Sequence, residues 1–425
     1  MIINMSYGRK GLPIELPNDW NVTVVSKPNM PVQFNPSEAI RTALANPTGS
    51  KTLIEEARGC KSACIVICDI TRPVPNNLFL PIIIDELLAG GLQPDAITIL
   101  IATGLHRPNI GDEVKELIGD EWVLKTVKIV NHFAENDDSH VDLGTTTRGT
   151  PIRIDRRLVE ADLRILTGLV EPHLMAGYSG GRKLIAPGVA HAQTISSLHS
   201  ARFLANPLAD NCILDGNPVH QDQLEILAKV GKCLALNTVI DENRRLSYVS
   251  FGDTVESHLE AVRYVDRYAK ISLPRKYKTI ITSTAGYPLD KTFYQTVKGA
   301  VGPLGVLEQG GNLFVVSECS EGLGSKGFVS CQKRLVAKGV DGFLAEIMPK
   351  QFADNDEWGT QCLIRAMQRG NIYLYSEGLS EKDRKLTGVH VIDNLEEAIR
   401  KSVEETGDKN VVVIPEGPYA VPVSE

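Results

Sequence analysis

The sequence predicts an α/β protein made of two domains, each with a mainly parallel sheet. From about residue 62 onward, short runs rich in Ile, Val and Leu alternate with segments of helical character. Near-continuous apolar strands separated by helices are typical of a parallel sheet that is covered on both faces. A second series of this kind begins after residue 277, and 425 residues exceed what one hydrophobic core normally serves. We expect the active site to lie in the cleft between the two domains.

The first series supplies most of the strand ends that carry reactive side chains. It predicts strands over residues 63–69, 96–102, 126–131 and 163–168, and helices over residues 77–89 and 109–118. Residues 234–240 and 246–251 bracket a polar turn and predict a hairpin, and a long helix over 255–269 follows it. Ligands of open parallel sheets bind at the carboxyl ends of the strands, so the loops after these strands are the first place to look for function.

The domain boundary is predicted near residues 270–277, where Pro274 and paired basic residues suit a linker. The second series then predicts strands over 279–283, 312–317 and 372–375, and helices over 293–301, 332–338 and 356–369. The N-terminal domain is therefore expected at residues 1–272 and the C-terminal domain at residues 273–408. The tail over 409–425 contains one more strand and could return to the N-terminal domain.

Composition excludes several functional classes. The chain is 43% hydrophobic and 23% charged, with a formal net charge of −7, which argues against a nucleic-acid or anionic-membrane partner. The first 21 residues lack the apolar core of a signal peptide, and the longest apolar stretch, residues 78–88, is too short and too interrupted to span a bilayer. We expect a cytoplasmic protein.

Eight cysteines are scattered along the chain, and three of them recur every four residues, at Cys60, Cys64 and Cys68. This spacing is not that of a zinc site, which usually contains a CxxC pair, and no such pair occurs. Cys64 and Cys68 fall in a predicted strand. We therefore interpret the cysteines as buried structural thiols, and disulfides are not expected in a reducing compartment.

Three strand ends carry charged or imidazole side chains. Asp69 and Arg72 follow the first strand in a turn stiffened by prolines. The aspartate could orient an imidazole and the arginine could hold a phosphate or a carboxylate. His106 follows the second strand and His173 follows a later one, so we interpret both as functional histidines with pKa values suited to acid/base work.

A glycine-rich loop with two cations follows His173. Gly180 and Gly181 allow positive φ and let backbone N–H groups approach a ligand, and Arg182 and Lys183 come next. The loop is not a nucleotide P-loop, because that motif needs Gly directly before Lys and Ser or Thr after it. Arg182 and Lys183 could neutralise a bound phosphate, or Lys183 could carry a covalent attachment.

Two further histidines are candidate metal ligands. His199 and His191 are eight positions apart on a helix-like run and would face nearly the same side, so spacing alone does not choose between them. The other five histidines have no supporting context, and we expect surface or packing roles for His132, His140, His220, His258 and His390.

In the second series, Tyr294, Gln295 and Lys298 follow a strand and fall on one face of a predicted helix. A lysine and an amide at the start of a helix suit the binding of a small carboxylate. A solvated helix end is the alternative.

Together these motifs resemble the lactate racemase family, the nickel-pincer nucleotide enzymes. The match spans nearly the whole chain, from Asp69 to Trp358, in the same order and spacing. It comprises a histidine sixteen residues beyond Lys183 and the motifs DxTRPxP, TGxHRP, EPHxxxGxSGGRKxxxPG and YPLDxxFYQxxKG.

The resemblance implies a cofactor. In the family it is nickel held by a pyridinium-3-thioamide-5-thiocarboxylic acid mononucleotide, which corresponds here to covalent attachment at Lys183. The resemblance also selects His199 over His191 as the nickel ligand, and it places Asp69, Arg72, Gly180 and Gly181 around the cofactor. Cofactor-biosynthesis and nickel-insertion enzymes are then expected partners.

The resemblance further implies inversion of the α-carbon of a small, lactate-like 2-hydroxy acid, by hydride transfer to and from the tethered cofactor. The acid/base pair corresponds to His106 and His173, and the residues near the substrate are Arg72, Tyr294, Gln295 and Lys298. An epimerase of a larger acid, such as malate, an aromatic 2-hydroxy acid or an aldonic acid, is the alternative. A non-catalytic binding protein of the same fold, or a phosphate-binding transferase, would belong to a different class.

Overall fold

The computed structural model describes residues 1–424, and its strands are short and numerous. In chain order they are β1 (Ile2–Met5), β2 (Leu12–Glu15), β3 (Asn21–Val24), β4 (Ala63–Cys68), β5 (Ile97–Ala102), β6 (Lys128–Asn131), β7 (His140–Thr145), β8 (Pro151–Asp155), β9 (Leu163–Leu169), β10 (Pro172–His173), β11 (Gly177–Tyr178), β12 (Leu234–Ile240), β13 (Leu246–Asp253), β14 (Lys270–Leu273), β15 (Tyr277–Ser283), β16 (Leu307–Val316), β17 (Gly370–Tyr375), β18 (His390–Ile392), β19 (Asn410–Ile414) and β20 (Val421–Ser424).

The helices separate most of these strands. They are α1 (Pro36–Ala45), α2 (Leu53–Ala57), α3 (Asn76–Ala89), α4 (Asp112–Ile118), α5 (Glu121–Thr126), α6 (Arg156–Val159), α7 (Ala192–Leu198), α8 (Ala201–Leu204), α9 (Pro218–Val230), α10 (Thr254–Ala269), α11 (Phe293–Val301), α12 (Lys326–Ile347), α13 (Glu357–Arg369), α14 (Glu381–Arg384) and α15 (Leu395–Thr406). Gly181–Leu184 forms a 3₁₀ turn. None of the helices in residues 1–424 is both long and apolar enough to cross a bilayer.

The chain divides into two compact units. The first unit contains Asn29–Leu198 and Leu208–Arg267, and the second contains Met1–Pro28, His199–Pro207 and the chain from Tyr268 onward. The first unit holds a six-stranded sheet of order β13-β12-β9-β4-β5-β6, in which only the β12–β13 pair is antiparallel. The second unit holds a six-stranded, fully parallel sheet of order β18-β17-β16-β15-β19-β3. The predicted α/β class with mainly parallel sheets is confirmed.

Strand β4 shows why the first sheet forms. Ile65 and Ile67 pack into the core on one face, and Cys64 and Val66 pack into the core on the other. Side chains alternate between the two faces of a strand, so a strand that is apolar at every position must be covered on both sides. All eight cysteines are free thiols, and six of them are buried; Cys60 and Cys68 are partly buried. The described residues contain no cluster of His, Cys, Asp and Glu that could hold a metal ion.

The predicted domain bounds differ from the structure in three places. The tail strand β19 lies between β15 and β3 and pairs in parallel with both, so it belongs to the sheet of the second unit. The first 28 residues also belong to the second unit, because β3 pairs with β19. Residues 199–207 join the second unit as well, where Gln361 Nε2 of α13 donates to Ala201 O at 3.2 Å. Backbone pairing between distant segments leaves no periodic signal in either segment, which explains these differences.

Candidate functional site

The first sheet brings the predicted strand-end residues to one edge. Strand β4 lies between β5 and β9, and all three run parallel, so the loops after them leave from the same edge. These loops carry Asp69, His106 and His173 respectively. β5 and β9 are two strand spacings apart, roughly 10 Å. The three strand ends that carry charged or imidazole side chains in the sequence therefore lie at one edge of the sheet.

Asp69 and His106 form a hydrogen-bonded pair across two of these loops. His106 Nδ1 lies 2.7 Å from Asp69 Oδ2. The aspartate side chain is only 7% exposed, whereas the imidazole is 62% exposed. Thr71 Oγ1 donates to the other carboxylate oxygen at 2.6 Å and fixes the carboxylate from behind. A carboxylate that accepts the Nδ1 hydrogen leaves Nε2 of the same ring as the basic nitrogen.

His173 is held differently. It lies in the two-residue strand β10, which pairs with β11 at the start of the glycine-rich loop. The backbone N–H groups of Met175 and Ala176 point at His173 Nδ1, at 3.4 and 3.3 Å. Because Nδ1 accepts in these contacts, the ring hydrogen lies on Nε2. The two histidines therefore present opposite tautomers, one with a basic Nε2 and one with a protonated Nε2.

Arg72 forms an ion pair with Glu171, which joins the loop after β4 to the loop after β9. The backbone of Glu171 is in turn tied to Ser179, whose N–H donates to Glu171 O at 2.9 Å and whose Oγ accepts from Glu171 N at 3.0 Å. Arg72, which is predicted to contact the cofactor or the substrate, is thus held at the sheet edge by Glu171. The sequence interpretation gave Glu171 no role of its own.

Gly180 and Gly181 adopt positive φ, as predicted, at +76° and +49°. Their surroundings are protein atoms. A Cβ on Gly180 would lie 2.7 Å from Val170 Cγ2, and one on Gly181 would lie 3.0 Å from the His258 ring. Close packing alone therefore accounts for glycine at both positions, and a contact between their N–H groups and a cofactor stays a prediction.

Alanine at Gly180 is expected to destabilise the protein by about 3 kcal/mol, because it combines positive-φ strain with the contact to Val170. Gly59 is the matched control, since its φ is +82° and a Cβ there would meet nothing within 4 Å. Gly59→Ala is expected to cost only about 1 kcal/mol. Urea unfolding of both variants measures the difference, and equal losses would contradict the packing argument.

Lys183 lies in the 3₁₀ turn Gly181–Leu184 and is partly buried. Burial lowers the pKa of its amine to about 7, and the positive charges of Arg182 and Arg72 act in the same direction. No hydrogen bond or ion pair holds this amine within residues 1–424. An amine that is substantially neutral at pH 7 can act as a nucleophile, as covalent attachment requires.

Of the five histidines that were expected to have surface or packing roles, four are buried and His390 is exposed. The four buried ones lie in two separate groups. His132, His140 and His191 stack edge to face, with ring centroids 5.1 and 5.0 Å apart. His191 also contacts Asp137 and Arg153, which accounts for it without a metal. His220 and His258 lie around Arg182, where burial and that guanidinium lower the pKa of both rings.

In the second unit, His199 packs against Trp358 of α13, with ring centroids 4.7 Å apart. Trp358 Nε1 donates to Tyr294 Oη at 3.0 Å. The indole therefore connects the predicted metal ligand to helix α11. Trp358 thus contacts two of the predicted site residues, and the sequence interpretation gave it no role beyond marking the end of the family match.

Helix α11 carries the three residues that are predicted to lie near the substrate, Tyr294, Gln295 and Lys298. Thr292 caps the helix by accepting from Gln295 N. Gln295 Oε1 is buried without a hydrogen-bond partner within residues 1–424, and Lys298 is one turn further on the same face. Burial raises the pKa of Tyr294 above its ordinary value, so its hydroxyl stays protonated. Of the predicted site residues, the second unit thus holds His199, Tyr294, Gln295 and Lys298, and the first unit holds Asp69, Arg72, His106, His173, Gly180, Gly181 and Lys183.

Comparisons with known proteins match the same family, lactate racemase, over most of the chain. A family model described as the lactate racemase N-terminal domain matches residues 7–211, and one described as the lactate racemase C-terminal domain matches residues 274–421. A lactate racemase from Thermoanaerobacterium thermosaccharolyticum is 31% identical over 98% of this chain and 97% of that protein. A lactate racemase from Lactiplantibacillus plantarum is 32% identical over 91% of this chain and 90% of its own. The solved lactate racemase apoprotein from T. thermosaccharolyticum superposes with a TM-score of 0.89 at 30% identity, covering 99% of this chain and 100% of the other.

Proposed function

Because the chain belongs to the lactate racemase family, we propose that it is an isomerase that inverts the α-carbon of a small, lactate-like 2-hydroxy acid. The observation that carries this proposal is the pair of histidines at one sheet edge, His106 held by Asp69 and His173 held by backbone N–H groups. Inversion needs a proton acceptor and a proton donor at the hydroxyl of two mirror-related substrates. Two imidazoles in opposite tautomers supply both roles.

The residues present fit a lysine-tethered nickel-pincer nucleotide. Lys183 offers an amine with a pKa of about 7, Arg182 and Arg72 supply positive charge beside it, and His199 offers an imidazole for nickel. When bound, this cofactor would accept and return the α-hydrogen as hydride. Its assembly and nickel loading require cofactor-biosynthesis and nickel-insertion enzymes, which we propose as partners of the chain.

The chain's own groups would divide the remaining work. His106 Nε2 takes the proton of the substrate hydroxyl, and Asp69 stabilises the imidazolium that forms. His173 Nε2 returns a proton to the oxygen for the opposite enantiomer. Gln295 and Lys298 bind the carboxylate, and the unpartnered Oε1 of Gln295 is ready to accept a hydrogen bond there.

Replacement of Asp69 by asparagine is expected to lower kcat about 100-fold, because an amide can hold the His106 ring but cannot stabilise its charged form. The Lys183 adduct should remain, since Asp69 contacts His106 and Thr71 rather than the lysine. Stopped-time racemisation assays with adduct quantification by mass spectrometry measure both. An unchanged kcat would show that the pair plays no part in proton transfer.

A substrate panel tests the proposed function itself. Cofactor-loaded protein is incubated with single enantiomers of lactate, malate, mandelate and an aldonic acid, and products are separated on a chiral column. We expect lactate to be inverted with the highest kcat/KM. A clear preference for another acid would show that the substrate is a larger 2-hydroxy acid and not lactate. If loaded protein inverts none of these acids, the isomerase proposal is contradicted.

A further inference from the structure

Arg182 is a buried cation whose partners are all neutral. The residue is 2% exposed. Its Nη2 donates to Ala176 O at 2.7 Å, its Nη1 lies 3.0 Å from His258 Nε2, and its Nε has no partner. Within residues 1–424 no carboxylate pairs with it. A buried charge is normally neutralised by an opposite charge, because removing an ion from water is costly.

The imidazoles around Arg182 do not neutralise it. His258 Nε2 lies 2.8 Å from Ser179 O as well as near the guanidinium, so in either tautomer it is a neutral neighbour. Burial and Arg182 hold the pKa of His258 well below its ordinary value, and they lower the pKa of His220 to about 3. Burial lowers the pKa of Arg182 itself only to about 9. At neutral pH the group therefore carries one positive charge, on Arg182.

Lys183 is the next residue of the same 3₁₀ turn. The charged or titratable groups that face it are Arg182, Arg72 and the thiol of Cys68 at the end of β4. Arg72 is paired with Glu171, whereas Arg182 has no counter-charge. From the helices packed nearby, α9 contributes His220 and α10 contributes His258, both neutral. Arg182 is thus the one neighbour of Lys183 that carries an uncompensated positive charge in the described part of the chain, where no carboxylate bonds to the amine.

We propose that Arg182 is a positioning residue for Lys183: its uncompensated charge adds to the effect of burial and keeps a substantial fraction of the neighbouring amine unprotonated, so that the apoprotein presents a nucleophile for cofactor attachment at neutral pH. This inference rests on the proposed role of Lys183 as the anchor. An amine bonds to an acyl carbon through its lone pair, which an ammonium lacks. Condensation of the amine with a thiocarboxylic acid to a thioamide releases one water and involves no oxidant or reductant.

Competitive acetylation of the apoprotein tests the inference directly. Trace acetic anhydride forms an amide with unprotonated lysine and releases acetate and a proton, and peptide mass spectrometry reads the yield at Lys183 as a function of pH. A model lysine amide, with a pKa of about 10.4, is labelled in the same tube as the reference. We expect the Lys183 midpoint at pH about 7. A midpoint close to that of the model amine would overturn the inference.

Two variants separate the effect of Arg182 from burial alone. Arg182→Met removes the charge with little change in volume, and His258→Glu keeps Arg182 but gives it a carboxylate. Each is expected to raise the Lys183 midpoint by roughly one pH unit, from about 7 to about 8, which is about a fivefold loss of labelling at pH 7. Arg58→Met, at an exposed arginine of the same unit, is the matched control and should leave the midpoint unchanged.

Circular dichroism establishes that each variant is folded before labelling. If one variant does not fold, the other variant alone tests the effect of Arg182. The wild-type midpoint tests, independently of both variants, whether the Lys183 amine has a lowered pKa. An unchanged midpoint in a folded variant refutes the role of Arg182. The experiment uses neither cofactor nor substrate, so its failure would leave the proposed isomerase function intact. Conversely, a protein that racemises lactate without an adduct on Lys183 would refute the anchor and leave the amine measurement valid.

Discussion

Replacing Lys183 with methionine is expected to abolish both the covalent adduct and racemase activity, and to stabilise the apoprotein. Activity is lost because methionine has no amine with which to hold the cofactor. Stability rises because the native lysine has a pKa of about 7 in the folded protein, against an ordinary value of 10.5. The folded state therefore resists protonation of a residue that the unfolded chain protonates freely.

The pH dependence of this stabilisation follows from linkage. Between pH 7 and 10.5 the unfolded chain binds more protons at this lysine than the folded protein does, so wild-type stability rises with pH across that window. The penalty of the buried amine is largest at and below pH 7 and disappears above pH 10.5. With allowance for the partial exposure of Lys183, we expect methionine to add on the order of 2 kcal/mol at pH 7.

Urea unfolding of apoprotein at pH 7 and at pH 10, with intact-mass analysis of protein co-produced with the cofactor-assembly enzymes, measures both effects. Lys183→Arg is the matched control, because it also cannot form the adduct but keeps the positive charge and should bring no stabilisation. An adduct that persists in Lys183→Met would place the attachment elsewhere. Equal free energies of unfolding for wild type and Lys183→Met at pH 7 would show that the buried amine does not lower the stability of the folded protein.

Separate replacement of His106 and His173 by glutamine is expected to lower racemisation of lactate at least about 1000-fold in each case, in both directions. In the proposed mechanism each interconversion uses one imidazole to accept the hydroxyl proton and the other to return it, so neither ring can compensate for the other. Glutamine keeps hydrogen-bonding capacity but does not titrate. Chiral chromatography of reactions started from each enantiomer measures the loss.

The adduct on Lys183 provides the internal control for the histidine variants, since it should form in both of them. His390→Gln is the matched control in the second unit, where His390 is exposed and stacks on Tyr373. That variant should retain full activity. If the two single variants, His106→Gln and His173→Gln, both racemise lactate at near-normal rates when loaded with cofactor, the assignment of these residues as the acid/base pair is refuted.

The sequence was sufficient to predict the edge of the first sheet. All six residues of strand β4 are apolar; the first five are buried, the last, Cys68, is partly buried, and the polar Asp69 follows directly. Such an abrupt change marks both a doubly covered strand and its end. The same reasoning located His106, and adjacency of parallel strands then placed these side chains together.

The partners of these residues could not be predicted in the same way. His199 is sixteen residues from Lys183, yet it packs on Trp358 in the second unit, because residues 199–207 leave the first unit and return. Gly180 was interpreted through its conformational freedom, whereas its closest neighbour is Val170. Both outcomes depend on packing between residues that no local periodicity connects.

The glycine-rich loop combines local rules with long-range packing. Positive φ at Gly180 and Gly181 follows from their residue type, but the burial of Arg182 beside His258 depends on helix α10. From the sequence, Arg182 and Lys183 were interpreted as cations that could neutralise a bound phosphate, with Lys183 as a possible point of covalent attachment. Only the three-dimensional surroundings show that Arg182 is buried without a counter-charge. Its positive charge then adds to burial in lowering the pKa of the neighbouring Lys183.

The most direct test of the account is racemisation by protein whose Lys183 adduct and nickel content have been verified. Protein co-produced with the cofactor-assembly enzymes is purified, its adduct is mapped to a peptide, and it is incubated with L-lactate alone. The account predicts that D-lactate accumulates until the two enantiomers are equal, and that Lys183→Met protein prepared in parallel produces none. Fully loaded wild-type protein that leaves L-lactate and every other 2-hydroxy acid of the panel unchanged would contradict it.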